Sequence, residues 1–285
     1  MISESEIVYL QDGLKQGIRT DGRGCDAFRP IKIDMGVVPT ANGSCRVRSR
    51  GCDIFVAIKC DIGIPSITEP DMGIINVAVE FGCFVQSRVS DSSGKQATIE
   101  TESFAEVIAN QVQSMCFQSV DRKQFCIEPG RACWVVSVDI LVERIDGPLI
   151  DPISIGVRAA LLGLELPIVT LPPPDQEQGA ETFPKVDLLE GLWKLSPDNT
   201  SAICVSVGVF CGNTITAVDL DRIEELLAES SSNCLITVAV NDEGKCFGIH
   251  KWGSGILDPS VLTPVTSAAC KVARDVSAIL TKVVS

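Results

Sequence analysis

The stretch GPLIDPISIGVRAAL, residues 147–161, holds the makings of an anion site. Gly147-Pro148 marks a turn. Asp151-Pro152 signals a helix start, with the aspartate placed to cap the first turn and the proline losing no hydrogen bond at the first helical position. A loop feeding a helix N-terminus attracts anions, because unpaired N–H groups and the helix dipole both point into it. Here an acid fills the cap, and the loop offers a ligand only Leu149 and Ile150. A binding site, the remains of one and a well-capped helix all fit.

Two other clusters carry chemistry. Asp219, Asp221, Glu224 and Glu225 group on one turn, and grouped carboxylates can hold Mg²⁺. The favoured account is plainer: Asp219 or Asp221 caps the next helix, and the glutamates complement its dipole. The second cluster is Arg46, Arg48 and Arg50. On a strand Arg46 and Arg48 share one face and Cys45 and Val47 the other. Three guanidiniums around a hairpin tip can grip phosphates, or pair with this acidic chain's own carboxylates. Arg88 and Lys95, in the polar loop 86–96, are weaker candidates of the same kind. The sequence has one histidine, His250, and no nucleophile elbow, so a Ser-His-Asp triad is excluded. Neither a P-loop nor a Gly-x-Gly-x-x-Gly run occurs.

Apolar spacing supplies the elements that must position these groups. Ile7, Leu10 and Leu14 predict an N-terminal helix ended by Gly17. Alternation predicts strands over 28–37, 44–48, 54–59, 74–85 and 126–142, with a hairpin turn at 49–53. Phe104, Val107, Ile108, Val112 and Met115 mark one face of a helix over 101–116. The helix from Asp151 carries an apolar stripe of Ile153, Val157, Ala160, Leu161 and Leu164. Leu171-Pro172-Pro173-Pro174 opens the clearest linker. Beyond it come a strand over 202–209, a short strand and acidic turn over 214–221, a helical segment to Glu229, a hairpin of strands over 234–240 and 245–250, then a last helix from about Asp258. The expected fold class is α/β (α+β): an N-terminal helical extension (1–24), a first lobe (25–171), a linker (172–190) and a C-terminal lobe (191–285).

Totals narrow the function. The 285 residues carry a net charge of −13, which argues against a stand-alone nucleic-acid binder, so any RNA contact must be local. No stretch suits a secretory signal or a membrane span, and a soluble intracellular protein is expected. The thirteen cysteines include no Cys-x-x-Cys pair and sit largely in apolar runs, which predicts buried reduced thiols and no zinc site.

Arg19-Thr20-Asp21-Gly22-Arg23-Gly24-Cys25, Phe28-Arg29 and Asn42-Gly43-Ser44-Cys45-Arg46-Val47 resemble the opening of ribonuclease PH-like proteins. Cys126-Ile127-Glu128-Pro129-Gly130, Trp134 to Ile140, Asp151 to Ile155 with Ala159-Ala160-Leu161, and Gly255 to Pro259 continue the match in order. The resemblance covers most of the chain and is weakest over 171–200. It is strongest to the RNase PH-like ring subunits of the eukaryotic RNA exosome; Ile7-Val8-Tyr9 and Leu257-Asp258-Pro259 suit one ring subtype better than its paralogues.

That resemblance implies a ribonuclease PH-like fold and a place in a hetero-hexameric ring, paired with a paralogue and topped by RNA-binding cap proteins. It also implies RNA threaded through the channel, no cofactor, no membrane, and residence in nucleus, nucleolus and cytoplasm. Catalytic members hold phosphate with a Gly-Ser/Thr-Arg-Ser/Thr loop, which aligns here with Leu149, Ile150 and Asp151. The arginine becomes Ile150, and a carboxylate stands where the anion would bind. Two unit charges about 4 Å apart repel by roughly 4 kcal/mol at an effective dielectric near 20. The catalysts' aspartate falls near Ser231 or Ser232, and Asn233 is no acid either. The expectation is a non-catalytic subunit with no catalytic or metal residues, touching RNA through Arg46, Arg48, Arg50, Arg88 and Lys95. An active phosphate-dependent exoribonuclease is the alternative, and a small-molecule-binding α/β protein a more distant one.

Overall fold

A computed structural model describes residues 3–83, 85, 95–171, 185–195, 200–229 and 233–284. Helix α1 (Glu4–Lys15) opens with a capping box between Ser3 and Glu6. The first sheet follows, from β1 (Lys32–Met35), β2 (Gly43–Ser49), β3 (Cys52–Gly63), β4 (Ile74–Phe81), β5 (Cys126–Glu128) and β6 (Ala132–Arg144). Its strand order is β1-β2-β3-β6-β4, with β5 beside β6, and only β4 runs parallel to its neighbour. Helix α2 (Lys95–Cys116) precedes β5, and helix α3 (Ile150–Leu162) follows β6. Strands β7 (Glu165–Thr170) and β8 (Lys185–Lys194) form a separate antiparallel pair. The second sheet, order β10-β9-β11-β12, contains β9 (Ile203–Phe210), β10 (Ile215–Val218), β11 (Cys234–Val240) and β12 (Cys246–Trp252). Helix α4 (Arg222–Ala228) lies between β10 and β11, and α5 (Leu262–Val284) ends the described chain.

Side-chain alternation explains the first sheet. Cys45 and Val47 on β2, Ile54, Val56 and Ile58 on β3, and Val136, Val138 and Ile140 on β6 are all buried, while Arg46 and Arg48 turn outward. Strands β9 and β11 are buried at every position, as expected of strands covered on both faces. Helix α3 lies between the sheets. A Cβ on Gly156 would meet Val56 and Val47 of the first sheet, while Asp151 and Ser154 bond β9 of the second. It is therefore buried all round rather than along one stripe. One continuous apolar core joins the two sheets, and a smaller cluster docks Leu10 and Leu14 of α1 against Phe210, Leu220, Leu227 and Leu235.

Several expected boundaries move. Of the strand expected over 28–37 only Lys32–Met35 forms, because Pro30 lacks an N–H and Gly36 turns the chain at φ 65°. Residues 185–190, read as linker, belong to β8, whose Lys185, Val186 and Asp187 pair with Thr170, Val169 and Ile168. The polar, Pro-rich signal that suggested the linker lies in 172–184, outside the described residues. All thirteen cysteines are free thiols, but only six are buried, and Cys83 and Cys246 are exposed. Burial pushes the Cys45 and Cys52 thiols up to about 12, which keeps them protonated and unreactive. No helix among the described residues is long and apolar enough to cross a membrane.

Gly147 fixes the approach to α3. It adopts φ 91°, and a Cβ there would lie 2.0 Å from the backbone oxygen of Leu220. Gly147→Ala is expected to destabilise the fold by about 2 kcal/mol, through strain at positive φ plus displacement of that carbonyl. A lowered urea midpoint with an unchanged slope would register the loss.

Candidate functional site

The loop before α3 and the acidic turn before α4 come together at one end of the second sheet. Helix α3 starts at Ile150, with Leu149 at the capping position in helical conformation and no side-chain cap. The expected cap by Asp151 is therefore corrected. Asp151 is the second helical residue, and Pro152 the third, still inside the turn that needs no amide donor. The Asp151 carboxylate turns to β9 instead. It accepts a 2.8 Å hydrogen bond from the Ser206 backbone N–H and a 2.6 Å bond from the Ser206 hydroxyl. Ser206 Oγ in turn lies 2.9 Å from Thr237 Oγ1 on β11. Burial raises the Asp151 carboxyl to about 7, against the opposing pull of the two Ser206 hydrogen bonds. Leu149 and Ile150 are buried in the main core.

The acidic cluster divides its work. Asp221 caps α4, and Glu224 completes a capping box with it, as expected. Asp219 does not cap. It sits at φ 50° and turns its carboxylate into a nest of arginines. Arg29 donates to it from its backbone N–H at 2.6 Å and from Nη2 at 2.8 Å, and Arg23 Nη1 donates at 2.8 Å. Arg29 also pairs through Nη1 with Asp146 at 2.9 Å and donates to the Leu220 carbonyl. Arg19, fully buried, bonds Glu224 through Nε at 2.9 Å and the carbonyls of Val218 and Asp219. Asp219, Glu224 and Glu225 are thus committed to guanidiniums, and Asp221 to its cap. No cluster of three or more metal-ligating side chains occurs among the described residues.

The expected RNA-contact residues do not converge. Arg46 forms a two-point pair with Asp53, at 2.8 and 2.7 Å, and lies over the Phe55 ring. Arg48 pairs with Asp34 on β1. Both arginines share one face of β2, as alternation predicted, but the chain's own carboxylates hold them. Arg50 is exposed at the hairpin tip and lines a cleft of about 210 Å³ with Arg29, Asp146, Asp221 and Arg222. Arg88 lies outside the described residues; Lys95 begins α2, and its side chain lies outside them too. Ser231 and Ser232 are also outside, whereas Asn233 is buried and ties Cys211 to Leu227 through its amide. His250 is exposed and packs edge-on against Trp252.

Sequence reading missed Arg19, Arg29 and Asp146 as the organisers of this region. The only signal was the density of charge in the segment Arg19 to Arg29, whose partners lie some 200 residues away for Arg19 and 190 for Arg29. Chemically, the assembled region has a carboxylate at the entrance to α3, Arg19, Arg23 and Arg29 held by internal acids, and Arg50 exposed at its rim. It is built to hold the two sheets together.

The 3′ exoribonuclease family domain of the RNase PH type matches residues 27–167. Exosome complex component Rrp42 of Archaeoglobus fulgidus is 30% identical over 266 residues, covering 93% of this chain and 92% of the relative. The protein of the same name from Methanocella arvoryzae is 29% identical over 269 residues, covering 94% and 93%. Among solved structures, an archaeal exosome core chain superposes with a TM-score of 0.69 at 23% identity, covering 98% of this chain and 97% of that one. A chain of the Archaeoglobus fulgidus exosome with RNA bound to the active site gives 0.70 at 24% identity, covering 95% and 96%. Those two structures bear out the α+β, RNase PH-like fold.

Proposed function

This chain belongs to the RNase PH family, as a relative of exosome component Rrp42, and from that premise we propose that it is a non-catalytic wall subunit of an exosome core ring. The observation that carries the reading is the state of the α3 entrance. Where catalytic relatives are expected to present an arginine to phosphate, this chain presents buried Leu149 and Ile150 and an Asp151 carboxylate bound by Ser206. An inorganic phosphate placed there would meet a carboxylate, and the arginines of the adjoining turn, Arg19, Arg23 and Arg29, are already ion-paired. Leu149, Ile150 and Asp151 are thus a degenerate phosphate site, and the acidic turn has become an arginine-locked strut.

In the finer reading the chain is a eukaryotic subunit of the ribosomal-RNA-processing protein 42 type, acting in nucleus, nucleolus and cytoplasm. It pairs with a paralogue in a hetero-hexamer and contacts cap proteins on one rim. Its RNA contact falls to Arg50 first, because that guanidinium is exposed while Arg46 and Arg48 are already ion-paired. Arg88 and Lys95 remain candidates on sequence grounds.

One experiment tests assembly and contact together. The tagged chain, purified natively, is expected to bring down other RNase PH-like subunits and cap proteins. Arg50→Glu should reduce ultraviolet crosslinking of single-stranded RNA to that complex without altering its composition. Recovery without ring partners would overturn the assignment. A ring that falls apart on Arg50→Glu would make Arg50 an interface residue.

A further inference from the structure

We propose that the groove between α2 and the free edge of β12 takes an extended peptide with an apolar centre and acidic ends, contributed by a partner protein and added to the second sheet as a fifth strand. Strand β12 ends that sheet, and among the described residues it pairs only with β11. Its outer backbone edge therefore has the form that strand addition uses. Beside the edge lies a groove of about 570 Å³ lined by both elements.

Three features specify the occupant. Gly248 leaves the floor open: a Cβ there would touch nothing closer than Met115 Cγ at 3.9 Å. Val107 and Ile249, 51% and 49% exposed, present aliphatic surface suited to alternate side chains of an extended segment. Gln111 lines the groove while only 8% exposed, and its Oε1 has no hydrogen-bond partner among the described residues. With the Gln111 side chain turned outward, a peptide N–H would supply one.

Charge selects the ends. Residues 245–252 hold Lys245, His250 and Lys251 and no carboxylate, in a chain of net charge −13. Acidic residues flanking an apolar centre complement that strand. A second copy of β12 would instead bring lysines together, so self-pairing is disfavoured. The proposal concerns the isolated chain and does not depend on the ring assignment.

The test uses the full chain and the synthetic peptide Asp-Val-Thr-Val-Thr-Val-Glu-Val-Asp, fluorescently labelled. Saturable binding by anisotropy is expected, with slowed amide hydrogen exchange confined to β12 and the facing turns of α2. Replacing the peptide's acids by lysine should weaken binding about tenfold, the equivalent of roughly 1.4 kcal/mol. A central proline, which removes a strand donor, should abolish the slowed exchange in β12. Gly248→Val, which fills the floor, and Val107→Ser, a surface change that leaves the core intact, should each weaken binding. Equal binding of the lysine or proline peptide would overturn the proposal. So would exchange in β12 that slows on assembly with a ring paralogue but not with peptide, which would make the groove a subunit contact.

Discussion

Arg29→Met is expected to destabilise the protein by about 3 kcal/mol, because it takes from a buried carboxylate its main partner and leaves it only Arg23 and the backbone N–H of residue 29. The Arg29 and Asp219 side chains are 8% and 7% exposed, so water cannot replace the lost partner. Arg29 also bridges Asp146 and the carbonyls of Asp146 and Leu220, so its loss uncouples the first-sheet side of the molecule from the acidic turn. The double variant Arg29→Met/Asp219→Asn separates the causes. Asparagine tolerates positive φ and removes the stranded charge, so it should restore a substantial part of the loss. Urea unfolding of the four proteins gives the coupling directly. A loss under about 1 kcal/mol for Arg29→Met would mean that the nest does not clamp the fold.

The second large effect is a pH dependence at Asp151. Its carboxyl titrates near 7 when folded, against about 3.9 in an unfolded chain. Between those values the folded state keeps a proton that the unfolded state has released. Stability from this group is therefore complete below about pH 4 and falls as pH rises to about 7, by on the order of 4 kcal/mol. Asp151→Asn removes the charge and still accepts from the Ser206 N–H, while the Ser206 hydroxyl can rotate to accept from the new amide. The variant should flatten the slope between about pH 4 and 7 and be at least as stable as the parent at pH 8. Severe destabilisation of Asp151→Asn at pH 8 would show that the fold needs the ionised carboxylate.

Local pattern made much of the fold legible. The alternation of Cys45 and Val47 against Arg46 and Arg48 placed β2 and its faces, and the run Cys234 to Val240 matched β11 to the residue. Side-chain partners across long sequence distances were not legible. The Asp151-Pro152 pair announced a helix, but whether the carboxylate turned back on its own helix or across to Ser206 depends on the second sheet, 55 residues further on. The arginine cluster was ambiguous for a related reason. Asp34 sits opposite Arg46 in register yet pairs with Arg48, while Asp53 pairs with Arg46, and spacing in one strand cannot specify such choices. For the candidate site, the residues proposed to depart from the catalytic pattern could be picked out in the sequence; the partners that hold them could not.

The central claim is that the α3 entrance has become structure and no longer binds the phosphate that attacks RNA. Incubating the purified chain with single-stranded RNA, inorganic phosphate and Mg²⁺, and following nucleoside diphosphate release, tests it most directly. The expected result is no phosphate-dependent shortening of the RNA. Phosphate-stimulated diphosphate release that follows this chain through purification would contradict it.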